Sequence, residues 1–322
     1  MRTKDLVWTL LIALSVLAQP ALAQTYPAKS VRIVVPFAPG GSADSVARPV
    51  AERLGTLLGQ PFLIENRPGA VATIGAAIVA KADPDGYTLL LVPGTHVLAP
   101  RLVASVPYHP INDFTPIANV VFAPLVIVSA KQQPFSTLRD MVQYAKQNPE
   151  KLAIGNSEVI TRLGAEALAQ AANIKLNNVN YKGGGPIASD VLGGHLALGV
   201  VTPVAVLAFQ KERKVNVLAV TSPKRLPSMP DVPTVGEALG VPQFDVQSWF
   251  ALAGPAGMPR PIVERLHRAV AQILLEPDIR DRILNMGLIP AEDSSPEGLA
   301  NLMKTFGLRN GALMEAAKIK ME

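Results

Sequence analysis

Ser42 and Asp44 stand two residues apart directly behind the turn Ala38-Pro39-Gly40-Gly41, and together with four histidines they are the raw material for nucleophilic chemistry. A hydrolase would need one of His96, His109, His195 or His267 within hydrogen-bond reach of Ser42, with a third group to orient it. No spacing in the chain ties any of them to the serine. The nucleophile pattern G-x-S-x-G is absent, since Gly40-Gly41-Ser42-Ala43 runs into Asp44, and neither the phosphate-cradling G-x-x-x-x-G-K-[S/T] nor the dinucleotide G-x-G-x-x-G occurs. No two histidines lie at ligand spacing and there is no cysteine, so neither a metal nor a cofactor is expected. What remains is non-covalent chemistry. At a helix start the first backbone N–H groups have no intrahelical partner, and glycines remove the Cβ atoms that would keep a ligand away, so a carboxylate or phosphate fits such a turn. The same turn also serves as an ordinary strand-to-helix connection.

The elements around it read as one unit. Val31, Ile33, Val34 and Val35 form a nearly uninterrupted β-branched run, which suits a strand buried on both faces of a parallel sheet, and Pro36 ends it. Asp44 to Leu58 follows as an amphipathic helix. Strands over Phe62 to Glu65 and Tyr87 to Val92, with a helix from Thr73 to Ala82 between them, continue a parallel series with right-handed crossovers. Pro116 to Val121 and Leu125 to Val128 are apolar strands, and a first crossing between lobes is placed near Pro124. A second parallel series then runs through strands ending near Gly155, Tyr181, Val201 and Ser222, with helices over Leu138 to Gln147 and Thr161 to Ala172 and from the loop Lys182 to Pro186 to Leu192. Pro223 to Pro242 reads as a surface connection. Trp249 to Gly254 returns to the first lobe, and helices starting at Pro261, Pro277 and Pro296 close the chain, each using proline where a missing N–H costs nothing.

The expected fold is therefore α/β with two lobes, each a mainly parallel sheet flanked by helices, since the length exceeds what one core supports. Residues 24–124 with 244–322 make the first lobe and 125–243 the second. Residues 1–23 match a secretory signal peptide: Arg2 and Lys4, the apolar run Leu6 to Ala18, and Ala21-Leu22-Ala23 before the expected cut. Their removal lowers the formal charge from +5 to +4, because Arg2 and Lys4 leave with Asp5. Scattered basic residues and 5% aromatics argue against nucleic acid. A mild positive balance fits an anionic small ligand and an ordinary exported surface alike.

A series of stretches carries a family resemblance: Val35-Pro36-Phe37-Ala38-Pro39-Gly40-Gly41-Ser42-Ala43-Asp44, Glu65-Asn66-Arg67-Pro68-Gly69-Ala70, Asp83-Pro84-Asp85-Gly86-Tyr87-Thr88, Tyr181-Lys182-Gly183-Gly184-Gly185-Pro186, and Pro230-Asp231-Val232-Pro233-Thr234. In this order they resemble the Bug-type extracytoplasmic solute receptors, the TctC-like binding proteins of tripartite tricarboxylate transporters. The resemblance implies a Venus-flytrap closing on a small organic acid or amino acid, a periplasmic location, a monomer, and a tripartite-type membrane permease as partner. It also implies that first-lobe turns hold the ligand through backbone groups and bound waters, which carries onto Phe37, Ala38, Gly40, Gly41, Ser42, Ala43 and Asp44. Where the family has a glycine- and serine-rich turn ending in His-Leu, this chain has Gly155-Asn156-Ser157-Glu158-Val159-Ile160-Thr161-Arg162-Leu163, with Arg162 at the histidine position.

Second-lobe candidates are Ser157, Thr161, Arg162 and Thr202, the last at a strand end that lacks the acidic residue often seen in relatives. Arg162 has two readings, a fork for a ligand carboxylate or a solvated helix residue; Glu158 would oppose such a carboxylate unless Arg162 neutralises it. Asp44 likewise either binds a ligand amino group or simply sits where the helix dipole favours it. Asn66 and Thr95, at strand-end turns, are polar contacts for a ligand or for their own loops. The function expected is solute capture without catalysis, with an exported serine hydrolase or a sensory binding protein outside transport as alternatives.

Overall fold

Val31–Val35 (β1) is buried along its whole length except at Arg32, and it pairs in parallel on both sides, with Phe62–Asn66 (β2) and Thr88–Pro93 (β3). Burial on both faces is what the run of β-branched residues serves. The computed structural model describes residues 26–319, so the signal segment expected at 1–23 lies outside the described residues. Ser42–Leu58 (α1) and Thr73–Ala80 (α2) are the crossovers of this first series. Phe114–Pro124 (β4) joins the same sheet, as do Gln247–Pro255 (β10) and Ile289–Pro290 (β11), in the order β11-β4-β10-β3-β1-β2.

The second sheet contains Val126–Ala130 (β5), Ala153–Asn156 (β6), Asn177–Asn180 (β7), Leu198–Val201 (β8) and Val215–Val220 (β9), in the order β7-β6-β8-β5-β9. Leu138–Gln147 (α3), Val159–Ala172 (α4) and Gly184–Gly193 (α5) flank it. Arg260–Ile273 (α6), Pro277–Asn285 (α7) and Pro296–Ala316 (α8) close the chain.

Both sheets are mixed: the expected parallel series is present in each, with an antiparallel strand set into it. β6 is parallel to β7 and β8, but β5 lies antiparallel between β8 and β9. In the first sheet β10 lies antiparallel between β3 and β4. The reason is topological. A helical crossover returns the chain to the same end of a sheet and keeps its direction. β5 instead enters straight from β4 across the single residue Leu125, and β10 returns from the second sheet; neither has a crossover to reverse it. The remaining strands, except short β11, keep the common direction in each sheet.

The core is continuous through both sheets: Val34, Leu90 and Trp249 of the first belong to the same buried cluster as Ile127, Ile154 and Leu198 of the second, with Leu125 between them. Two local differences from the sequence expectation have simple causes. Gly184 and Gly185 belong to the first turn of α5, because Pro186 at its third position gives up an N–H the helix does not use. Pro223 to Pro242 is not merely a surface connection, since Leu226, Met229, Val232 and Val235 are buried and Thr234 caps a short helix over Val235–Leu239 with Glu237.

Candidate functional site

β1 delivers the chain to a turn that only glycine completes comfortably. Gly40 has φ +84, a left-handed conformation, and Gly41 then occupies the N-cap of α1 with no side chain to bond the first turn. Ser45 N–H is the donor that bonds back to Gly41 O, at 2.9 Å. The N–H groups of Ser42, Ala43 and Asp44 are left without intrahelical acceptors, which is the arrangement that receives an anion.

Asp44 does not compete for them. Its buried carboxylate accepts from both Arg48 Nε and Nη2, at 2.8 and 2.9 Å, from Gly40 N–H at 3.0 Å and from Asn66 Nδ2 at 3.0 Å. Asn66 Nδ2 also donates to Phe37 O at 3.0 Å, so Asp44 and Asn66 serve the loop. The Arg48 hydrogen bonds, above all, hold the Asp44 pKa down at about 2, against the opposing effect of burial. A carboxylate whose folded pKa lies below its ordinary value near 4 stabilises the fold fully above that value, and the contribution fades as pH falls from about 4 to about 2. Asp44→Asn is therefore expected to cost roughly 1–2 kcal/mol at pH 7, discounted for the solvent reach of Arg48. The difference from the parent chain should shrink by pH 2.5, measured by urea unfolding at both pH values.

A cavity of about 300 Å³ opens between the two sheets at this turn. From the first sheet's side it is lined by Phe37, Gly41, Ser42, Ala43, Pro93 and Thr95, and by Ala123, Ser248, Phe250 and Leu288. Leu125 lines it at the crossing. From the second come Ser157, Glu158, Ile160, Thr161, Gly184, Val201 and Thr202. Three helix starts thus meet there, those of α1, α4 and α5. A larger open groove of about 710 Å³, lined by Val97, Arg101, Tyr108, Lys304 and Leu308 among others, lies away from these helix starts.

Among the expected residues, Phe37, Gly41, Ser42, Ala43, Thr95, Ser157, Thr161 and Thr202 line the cavity, whereas Ala38, Gly40, Asp44, Asn66 and Arg162 do not. Arg162 Nε pairs with Glu166 Oε1 at 2.9 Å, one turn along α4, and the same oxygen takes Asn178 Nδ2 at 3.0 Å. It therefore neutralises Glu166 and leaves Glu158 without a cation. Thr161 Oγ1 instead shapes the second-lobe turn: it accepts from Ser157 N–H and Glu158 N–H, both at 2.9 Å, and donates to Glu158 O at 2.8 Å.

Glu158, the N-cap residue of α4, lines the cavity and is exposed, and the protein packed near it raises its carboxyl pKa through loss of solvation. No lining residue is Lys, Arg, His or Asp. Glu158 and Gly184 were visible in sequence as an acid before a helix and a glycine at a turn; Ser248 and Phe250 share a face of β10 by their two-residue spacing, but nothing local marks that face as cavity wall.

Ser42, Asp44 and His96 do not assemble. His96 is buried, with Nε2 2.8 Å from Pro110 O and its ring stacked on Tyr108, and burial lowers its pKa to about 4. No group of three potential metal-ligating residues occurs among the described residues.

A family model described as the tripartite tricarboxylate transporter family receptor, TctC, matches residues 46–319. The protein BugT of Bordetella pertussis is 34% identical over 287 residues, covering 87% of this chain and 86% of that protein. Among solved structures, a Rhodopseudomonas palustris protein with adipate superposes with a TM-score of 0.78 at 31% identity, covering 92% of this chain and all of that one. MatC from the same organism, with bound malate, gives 0.73 at 33% identity over 89% of this chain and 99% of that one. The family resemblance carried by the sequence motifs is thereby borne out, along with the two-lobed fold: the chain belongs to the TctC family of tripartite tricarboxylate transporter receptors.

Proposed function

We propose that this chain is a periplasmic receptor whose lobes, residues 24–124 with 244–322 and residues 125–243, close on a small organic acid and present it to a tripartite-type membrane permease. Residues 1–23 direct export and are removed. The observation that carries this reading is the cavity of about 300 Å³ at which the uncapped start of α1 meets hydroxyls from both lobes. A carboxylate there is held by the N–H groups of Ser42 and Ala43, with Ser42, Thr95, Thr202 and Ser248 as hydroxyl partners. The volume suits a ligand of a few carbons. Adipate and malate in related structures are acids of that size, which supports the carboxylate class. The protein performs no reaction on its ligand.

The test is a thermal-shift screen of residues 24–322 against mono-, di- and tricarboxylates and amino acids, followed by calorimetry. A ligand at a hundred times its Kd adds about 2.7 kcal/mol, an upward shift of a few degrees. A saturable hit without turnover is the expected result; an absence of any carboxylate hit, or conversion of the ligand, would count against the proposal.

A further inference from the structure

The two principal helix starts that meet in the cavity differ in charge. That of α1 is capped by Gly41, which brings no side chain, so its N–H groups are open to an external anion. That of α4 carries its own carboxylate, Glu158, at the N-cap position, where the helix dipole already favours a negative group. An anion approaching the second start meets like charge. The neighbouring charges do not relieve this: Arg162 is held by Glu166 at 2.9 Å, Asp44 and Arg48 neutralise one another outside the lining, and exposed Lys182 does not line the cavity. Among the described residues Glu158 is thus the one ionisable side chain in the lining, and no cation pairs with it.

We infer that the ligand is bipolar: a carboxylate at the α1 end and, at the far end, a protonated amine or an amide N–H that Glu158 accepts. This rests on the proposed capture of a carboxylate in the cavity and narrows its class. Glu158 has no cation beside it in the cavity, and a protonated amine or N–H of the ligand supplies the missing donor. The same acid rejects a second carboxylate, so Glu158 selects by repulsion as well as by attraction. Simple dicarboxylates are accordingly poor ligands for this chain, in contrast to the diacids held by its structural neighbours.

Three probes of matched length separate these possibilities: glutarate, 5-aminopentanoate and the half-amide of glutarate. Calorimetry at pH 7.5 on residues 24–322 is expected to show the amine or the half-amide binding at least about tenfold more tightly than glutarate. Glu158→Gln, which keeps the shape, and Glu158→Ser, which keeps a good helix cap, are both expected to shrink that ratio about tenfold, with glutarate gaining affinity. A parent chain that prefers glutarate, or a ratio unchanged in two folded variants, overturns the inference and leaves the capture of carboxylates standing. Absence of binding by all three probes, in the parent and in both variants, overturns the capture reading and this inference with it.

Discussion

Gly41→Val is expected to weaken ligand binding by about 100-fold or more while the chain still folds. The position has room for a side chain. A Cβ built there meets only Ala38 O, at 3.7 Å, and the backbone, at φ −77 and ψ 175, is one that β-branched residues adopt readily. The fold therefore loses little beyond the poorer N-cap, about 1 kcal/mol. The cavity loses far more. Valine's two methyl groups enter the lining beside the N–H groups of Ser42 and Ala43, and a carboxylate held away from them forfeits charge-assisted hydrogen bonds worth about 1.5–3 kcal/mol each, roughly one to two powers of ten in Kd. Gly41→Ala should fall between the two. Calorimetry with the best ligand of the screen, alongside urea unfolding of each variant, separates binding from folding. Unchanged affinity in Gly41→Val would exclude the α1 start as the carboxylate site.

That experiment addresses a feature legible from the sequence, because a strand, a glycine pair and a helix start are all local patterns. The direction of β5 and β10 was not legible. Their composition matches any buried strand, and what reverses them is where the chain came from, which is a property of the whole path. Charge was legible only in part. Asp44 with Arg48, and Arg162 with Glu166, stand four residues apart on their helices, the spacing at which opposite charges meet. Read by that rule, both charged residues leave the site and satisfy their own helices. Family position, with the guanidinium fork of Arg162 and the carboxylate of Asp44, drew them toward a ligand instead. Glu158 also stands four residues from Arg162, so spacing alone leaves Arg162 a choice of two acids, and it is the structure that gives it to Glu166. An acid without a cation at a helix start beside a cavity is what that choice leaves, and it is legible only in the structure.

Thr221→Val is expected to cost about 2 kcal/mol. Thr221 is wholly buried where the two passages between the sheets run side by side. Its Oγ1 accepts from Leu125 N–H at 2.8 Å and donates to Leu125 O at 3.1 Å, while its own N–H bonds Leu125 O at 2.9 Å and its carbonyl accepts from Val246 N–H at 3.0 Å. Leu125 is the single residue between β4 and β5, and Val246 immediately precedes β10, so Thr221 ties the outgoing strand to the segment that returns, its side chain and N–H on Leu125 and its carbonyl on Val246. Valine fills the same volume but leaves the Leu125 N–H buried without an acceptor, a penalty of about 1–3 kcal/mol. Thr221→Ser keeps the hydroxyl and should recover most of the loss, short of the missing methyl. Melting measurements should place Thr221→Val about 5 °C below the parent, with Thr221→Ser between them. Equal melting of all three would mean that the passages are held by packing alone. In the proposed receptor ligand should protect Thr221→Val by nearly the same increment as the parent, because the helix starts that hold the ligand are untouched and only the backbone of Leu125 loses a partner.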